Sequence, residues 1–232
     1  MHISAGLPAL LNIDGKLIPE NSAKIKERQI DDLALSLMNP IQAQMFEQDN
    51  SVNFTYILNS QDRLRITFYK QKGSTNGIFR TLSEHTLTIA ELNLPDNINK
   101  ILELKSGLVV IGGPAGSGKT STLAAIVDLI NAERSCHIIT LEDPIEYFHS
   151  HKKSLVSQRE IGQDTASFAF ALRETLRQYL DVILVGEMRD LETISIAITA
   201  AETGHLVLAT LHTTDAVQTI DRIIDVFPPH QQ

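Results

Sequence analysis

The chain has 232 residues, enough for one large domain or two ordinary ones, and its 43% hydrophobic content supports a packed core, which excludes wholesale disorder. A formal net charge of −8 argues against a general nucleic-acid binder, because such a footprint shows as a basic excess. One cysteine, Cys136, excludes an internal disulfide and a thiolate metal cage and reads as a small core residue, while no apolar run nears the ~20 residues of a membrane span and no basic-then-apolar leader is present, so a soluble, cytoplasmic protein without a transmembrane segment is expected.

In chain order, residues 2–8 and 9–17 predict two short strands, with Asp14-Gly15 as a hairpin turn signal. Residues 21–38 predict helix, with Ser22 as candidate N-cap, Ile30, Leu33, Ala34 and Leu37 on one face, and Pro40 ending the pattern. A second short helix follows over 41–48. The alternating stretches 51–58, 63–69 and 77–82 predict antiparallel strands. Residues 1–92 thus read as a small α+β domain, and the Pro95 and Asn/Asp cluster over 93–99 as a linker.

Residues 100–232 change pattern. Continuous apolar runs at 108–112, 137–141, 181–186 and 206–211 alternate with helical stretches at 98–105, 121–131, 167–179, 191–201 and 215–226. Such runs predict a parallel sheet buried on both faces, hence an α/β class. Both ends of the chain read as cut, the first opening abruptly in strand-like sequence and the last stopping just after a helix.

The strand at 108–112 runs into Gly113, Pro114, Ala115, Gly116, Ser117, Gly118, Lys119 and Thr120, which fit G-x-x-x-x-G-K-[ST]. Glycines at 113, 116 and 118 allow positive φ and close backbone approach, so successive N–H groups converge on an anion. Lys119 supplies a point charge to the β- and γ-phosphates of a nucleoside triphosphate, and Thr120 a hydroxyl to Mg²⁺. Ser121 opens a helix whose N-terminal dipole points the same way.

In open α/β sheets the ligand lies outside the carboxyl ends of the strands. Those ends carry Glu142, Asp143 and Glu146 after the second strand, Glu187 after the third and His212 after the fourth, with His205 leading that last strand. A carboxylate there can hold a Mg²⁺ water or orient the attacking water; Glu187 leads, Glu142 and Glu146 follow, and Asp143 reads as a loop-fixing residue before Pro144. His212 reads either as a γ-phosphate sensor or as a satisfied strand-end histidine. His149 and His151 lack metal spacing, so no metal beyond Mg²⁺ is expected. Arg63, Arg65 and Arg80 lie on the N-terminal strands and read, on spacing alone, as solvated; Arg173 and Arg177 are candidates for a subunit boundary.

Four segments together resemble the type II/type IV secretion ATPase superfamily, and within it the PilT-type pilus-retraction branch: residues 113–120 as Walker A, 139–147 as the acidic box, 181–190 as Walker B and 203–213 as the histidine box. The resemblance covers nearly the whole chain. It implies a RecA-like core behind a PAS-like N-terminal domain, working as a homo-hexamer on ATP and Mg²⁺, peripheral to the inner-membrane platform of a pilus or secretion machine, with no nucleic acid as partner. By residue it implies phosphate and Mg²⁺ binding at Lys119 and Thr120, with Glu187 as a further metal partner. Glu142, Glu146, His205 and His212 are its box residues, and Arg65 and Arg80 present charge to nucleotide. Which of Glu146 and Glu187 polarises water is open. Tyr179-Leu180 stands where the family has Asp-Pro, and the family continues past Gln232. Pilus extension, secretion and DNA translocation by a RecA-like motor are the alternatives, with a non-hydrolysing nucleotide-binding regulator behind them.

Overall fold

The computed structural model describes residues 1–59, 63–82 and 86–230, and the chain divides into two compact units, Met1–Glu84 and His85–Gln232. The cut expected at Gln232 lies outside the described residues.

The first unit contains β1 (His2–Ile3), β2 (Leu10–Ile13), β3 (Lys16–Pro19), α1 (Glu27–Leu37), α2 (Pro40–Asp49), β4 (Ser51–Ile57), β5 (Arg63–Gln71) and β6 (Ser74–Leu82). Its antiparallel sheet runs β3-β2-β1-β6-β5-β4. Two hairpins close on pairs of positive-φ residues, Asp14-Gly15 and Lys72-Gly73, whose backbone twist matches that of the strands they join. Ile66 and Phe68 point to one face and bury with Phe54, Phe79, Ile30 and Ala34, so Arg63, Arg65 and Thr67 take the other face.

Two helix ends differ from expectation. Helix α1 begins at Glu27 behind Lys26, not Ser22; Gln29 reaches back to accept the Lys26 N–H at 2.8 Å. Pro40 opens α2 instead of merely ending α1. It occupies the first turn, where a missing N–H costs nothing, and Asn39 caps the helix by accepting from the Gln42 N–H.

The second unit holds a 3-10 helix (Asp96–Glu103), β7 (Gly107–Gly112), α3 (Lys119–Glu133), β8 (His137–Glu142), β9 (Leu155–Glu160), α4 (Phe168–Thr175), β10 (Val182–Val185), α5 (Leu191–Glu202), β11 (Leu206–Leu211) and α6 (Ala216–Asp225). All strands are parallel, in the order β7-β11-β10-β8-β9. Alternate residues feed two cores. Ile139, Leu141, Ile183, Val185 and Val207 bury with α4 and α5 residues, while Ile138, Val182, Leu184 and Leu206 bury with α3 residues. Burial on both faces is why these strands read as unbroken apolar runs.

The expected linker over 93–99 lies inside this unit. Ile89, Ile98 and Leu102 pack against the α3-side core and Ile101 is buried in it; the Pro/Asn cluster starts a helical turn there. Strand β9 was not expected at all, and the helix expected over 167–179 ends at Thr175.

Candidate functional site

The loop between β7 and α3 has the geometry of an anion cradle. Gly116 and Gly118 sit at φ of +77° and +91°, conformations that side chains resist. Gly113 does not; its φ is ordinary, and a Cβ there would collide with the Ser117 hydroxyl, so close approach, not torsion, demands glycine. Gly112 is constrained likewise, since a Cβ would fall 2.5 Å from the Thr213 hydroxyl and 2.6 Å from that of Thr219. Helix α3 begins at Lys119 behind Gly118 with no side-chain cap, which leaves its first-turn N–H groups directed at the loop mouth. Pro114, Ala115 and Ser117 are exposed on the loop, and so is the Thr120 residue. Lys119 Nζ donates to the carbonyls of Gly113 and Pro114 at 2.8 and 2.9 Å.

Register brings the other strand ends to the same edge. Leu211 pairs with Gly112, Val185 with Ala209 and with Leu141, so the loop, His212, Glu187 and Glu142 line up across β7, β11, β10 and β8. Glu187 is the junction. Its Oε2 accepts from Arg189 Nη2 at 2.6 Å and its Oε1 lies 3.3 Å from His212 Nε2. The Arg189 hydrogen bond holds the Glu187 carboxyl below its usual range; partial burial opposes this, and the charges of Arg189, His212 and Lys119 add to it. An ionised carboxylate therefore faces the loop lysine. Arg189 was not singled out in sequence, though its place two residues after Glu187 was visible. Asp143, exposed, adds a favourable charge near it.

Glu142 differs in kind. It is 8% exposed, accepts from Thr140 Oγ1 at 2.7 Å and Gln158 Nε2 at 3.2 Å, and burial pushes its carboxyl up to about 7 in spite of those bonds. A group with this shift favours the protonated form in the fold. Below pH 4.5 both states are protonated; between 4.5 and about 7 only the unfolded state ionises, so stability falls as pH rises through that window and is flat above it. The loss is at most roughly 3 kcal/mol. Urea midpoints across this range should show Glu142→Gln removing that part of the pH dependence; an unchanged difference between the two proteins across the window would contradict it.

Glu146 sits in the loop after β8, half-buried, beside Tyr147, whose hydroxyl lies 2.8 Å from Ser121 Oγ in the first turn of α3. The β8 loop thus touches the phosphate-loop helix. His205 is not part of this group. It precedes β11, at the sheet's amino edge, with its Nδ1 3.1 Å from the Ala200 carbonyl and its backbone carbonyl accepting from Gly107. The strand between it and His212 has six residues, on the order of 20 Å of backbone. Arg65 and Arg80 face each other across β5 and β6 of the first unit, Arg65 donating to Asn53 Oδ1 at 3.2 Å. Arg173 pairs with Glu192 and Arg177 with Glu174. His149 is buried against Asp128, and burial lowers its pKa.

Among the described residues no cluster of three or more His, Cys, Asp or Glu could hold a metal ion. The donors that remain fit a hard cation that keeps its own waters: the Thr120 hydroxyl and the ionised Glu187 carboxylate are both oxygen ligands. No helix among the described residues is long and apolar enough to cross a membrane.

The family described as type II/IV secretion system protein matches residues 11–228. A type IV pilus retraction ATPase PilT of Pseudomonas aeruginosa is 44% identical over 232 residues, covering 100% of this chain and 67% of the relative. A twitching motility protein of Neisseria gonorrhoeae is 45% identical over 219 residues, 94% of this chain and 59% of the relative. The solved structure of the pilus retraction motor PilT with bound ADP matches with a TM-score of 0.95 at 45% identity, over 99% of this chain and 67% of that one. The chain thus spans 59% to 67% of the length of these relatives. The expected α/β class holds, with a smaller N-terminal domain followed along the chain by a RecA-like phosphate-loop core.

Proposed function

From the premise that this chain belongs to the type II/IV secretion system protein family, we propose that it is the ATP-hydrolysing part of a hexameric motor that powers type IV pilus retraction. It would act at the inner-membrane platform of that machine. The observation that carries the reading is Glu187, an ionised carboxylate bonded to Arg189, beside His212 and within electrostatic reach of Lys119, at the same sheet edge as the phosphate loop.

In this reading the loop N–H groups and the α3 N-terminus bind the phosphates, and Lys119 leaves the Gly113 and Pro114 carbonyls to meet them. Thr120 and Glu187 would hold Mg²⁺, which when bound would supply positive charge to the phosphates. Glu187 already accepts from the Arg189 guanidinium through Oε2 and has His212 Nε2 3.3 Å from Oε1, so its work is electrostatic. Glu146, adjacent to the Tyr147 contact with α3, is then the group that orients the attacking water and takes its proton. His212 reads the γ-phosphate through its place against Glu187. Buried Glu142 supports that loop.

A cation from a neighbouring subunit makes hydrolysis depend on assembly, and Arg65 and Arg80, paired across two strands, are proposed to supply it. Arg80→Ala and Glu187→Ala chains should each be inactive alone and regain phosphate release when mixed, since some interfaces then combine an intact arginine with an intact glutamate. Mixtures no more active than either variant would count against the shared site.

A further inference from the structure

Strand β9 holds no residue of the phosphate loop or of the box motifs, yet its side chains grip the loop that carries Glu146. It pairs in register with β8, Thr140 opposite Gln158 and Glu142 opposite Glu160. Val156 on the same face is buried in the α3-side core, so Gln158 and Glu160 also point towards α3.

Glu160 is 6% exposed and accepts the Ile145 N–H at 3.1 Å through Oε2. Gln158 uses its amide three ways: Nε2 donates to the Tyr147 carbonyl at 2.8 Å and to Glu142 Oε1 at 3.2 Å, and Oε1 accepts the His149 N–H at 2.8 Å. The residues bound, Ile145 and Tyr147, flank Glu146 on either side. Tyr147 in turn meets Ser121 in the first turn of α3. Among the described residues, the side-chain bonds of Gln158 and Glu160 reach the loop that carries Glu146 and not the phosphate loop.

We propose that Gln158 and Glu160 are positioning residues that aim Glu146 at the γ-phosphate by clamping the backbone on both sides of it. The inference rests on the reading of Glu146 as the residue that orients water. A buried backbone N–H left without its acceptor is costly, so the bond that Ile145 N–H donates to Glu160 Oε2 fixes the path of the chain beside Glu146. Misplacing a reacting group by about 1 Å can cost 10²-fold in rate, so the clamp should show in turnover and not in nucleotide binding.

The test compares Gln158→Met and Glu160→Met, which remove the amide and the accepting oxygens, with the parent chain. Amide hydrogen exchange at His149 in the first and Ile145 in the second should accelerate, with β7 and β10 unchanged. At saturating MgATP kcat should fall by about ten- to a hundredfold while ADP affinity stays within about twofold. Added to Glu146→Gln, either change should cost nothing further, because the residue it aims is already gone. Losses that multiply in the double variants, or affinity that falls in step with kcat, would overturn the clamp. So would a slow Glu146→Gln chain beside fully active Gln158→Met and Glu160→Met chains. Wild-type turnover in Glu146→Gln alone would instead overturn the reading of Glu146, and this inference with it. Should Gln158→Met not fold, Gln158→Asn, which keeps the amide but shortens its reach by one methylene, gives the same readings.

Discussion

Lys119→Ala is expected to leave the chain folded and without measurable MgATP hydrolysis. Lys119 is half-buried, and its two bonds are to carbonyls of its own loop, so its loss should alter unfolding midpoints little. Its proposed role towards ligand is larger. A hydrogen bond to a charged group contributes about 1.5–3 kcal/mol, or ten- to a hundredfold in phosphate affinity. Removing one preorganised donor aimed at developing charge costs about 10²–10³ in kcat. The two losses act together on kcat/KM. Phosphate release and ADP titration on the same preparation, with circular dichroism as the folding control, give the reading; normal turnover would end the nucleotide account.

Glu146→Gln is expected to separate binding from chemistry. The substitution keeps the length of the side chain and, on the geometry of Ile145 and Tyr147, the path of the backbone. It removes the proposed base. General-base contributions run to about 10²–10⁴ in rate, so kcat should fall by that order with ADP affinity unchanged. Glu187→Gln should behave otherwise. Its partners Arg189 and His212 would face a neutral amide in place of a carboxylate, and the dependence of nucleotide binding on Mg²⁺ should weaken. A Glu146→Gln chain that weakens Mg²⁺-dependent binding while keeping its kcat would exchange the two roles.

Much of this arrangement was legible before any coordinates. The unbroken apolar runs of β7, β8, β10 and β11 announce a sheet buried on both faces, and polar residues directly after each run mark its functional edge. Strand β9 escaped because it is an edge strand: Leu155 to Glu160 pairs on one side only, Val156 is its sole deeply buried apolar residue, and Ser157, Gln158 and Arg159 hide the alternation. With it went Gln158 and Glu160. The signal that could have found them is the period-two placing of Val156, Gln158 and Glu160.

Local chemistry misled in three other places. The sequence motif at 113–118 does not say which glycine serves torsion and which serves contact, and only packing against Ser117 separates Gly113 from Gly116 and Gly118. A Pro/Asn/Asp cluster has the composition of a linker but also of a helical turn's start, and Ile98, Ile101 and Leu102 decide for the second by burying. His205 and His212 share one motif, yet a strand lies between them, so sequence proximity put at one site two residues that the fold holds at opposite edges.

The most direct test is a crystal structure of the chain with ADP and Mg²⁺. The account predicts the β-phosphate within hydrogen-bond distance of the N–H groups around Gly116, Gly118 and Lys119. Lys119 Nζ should have turned from the Gly113 and Pro114 carbonyls to a phosphate oxygen, with the metal between Thr120 and Glu187. Nucleotide bound away from this loop, or phosphates in the loop with Lys119 still on those carbonyls, would contradict it.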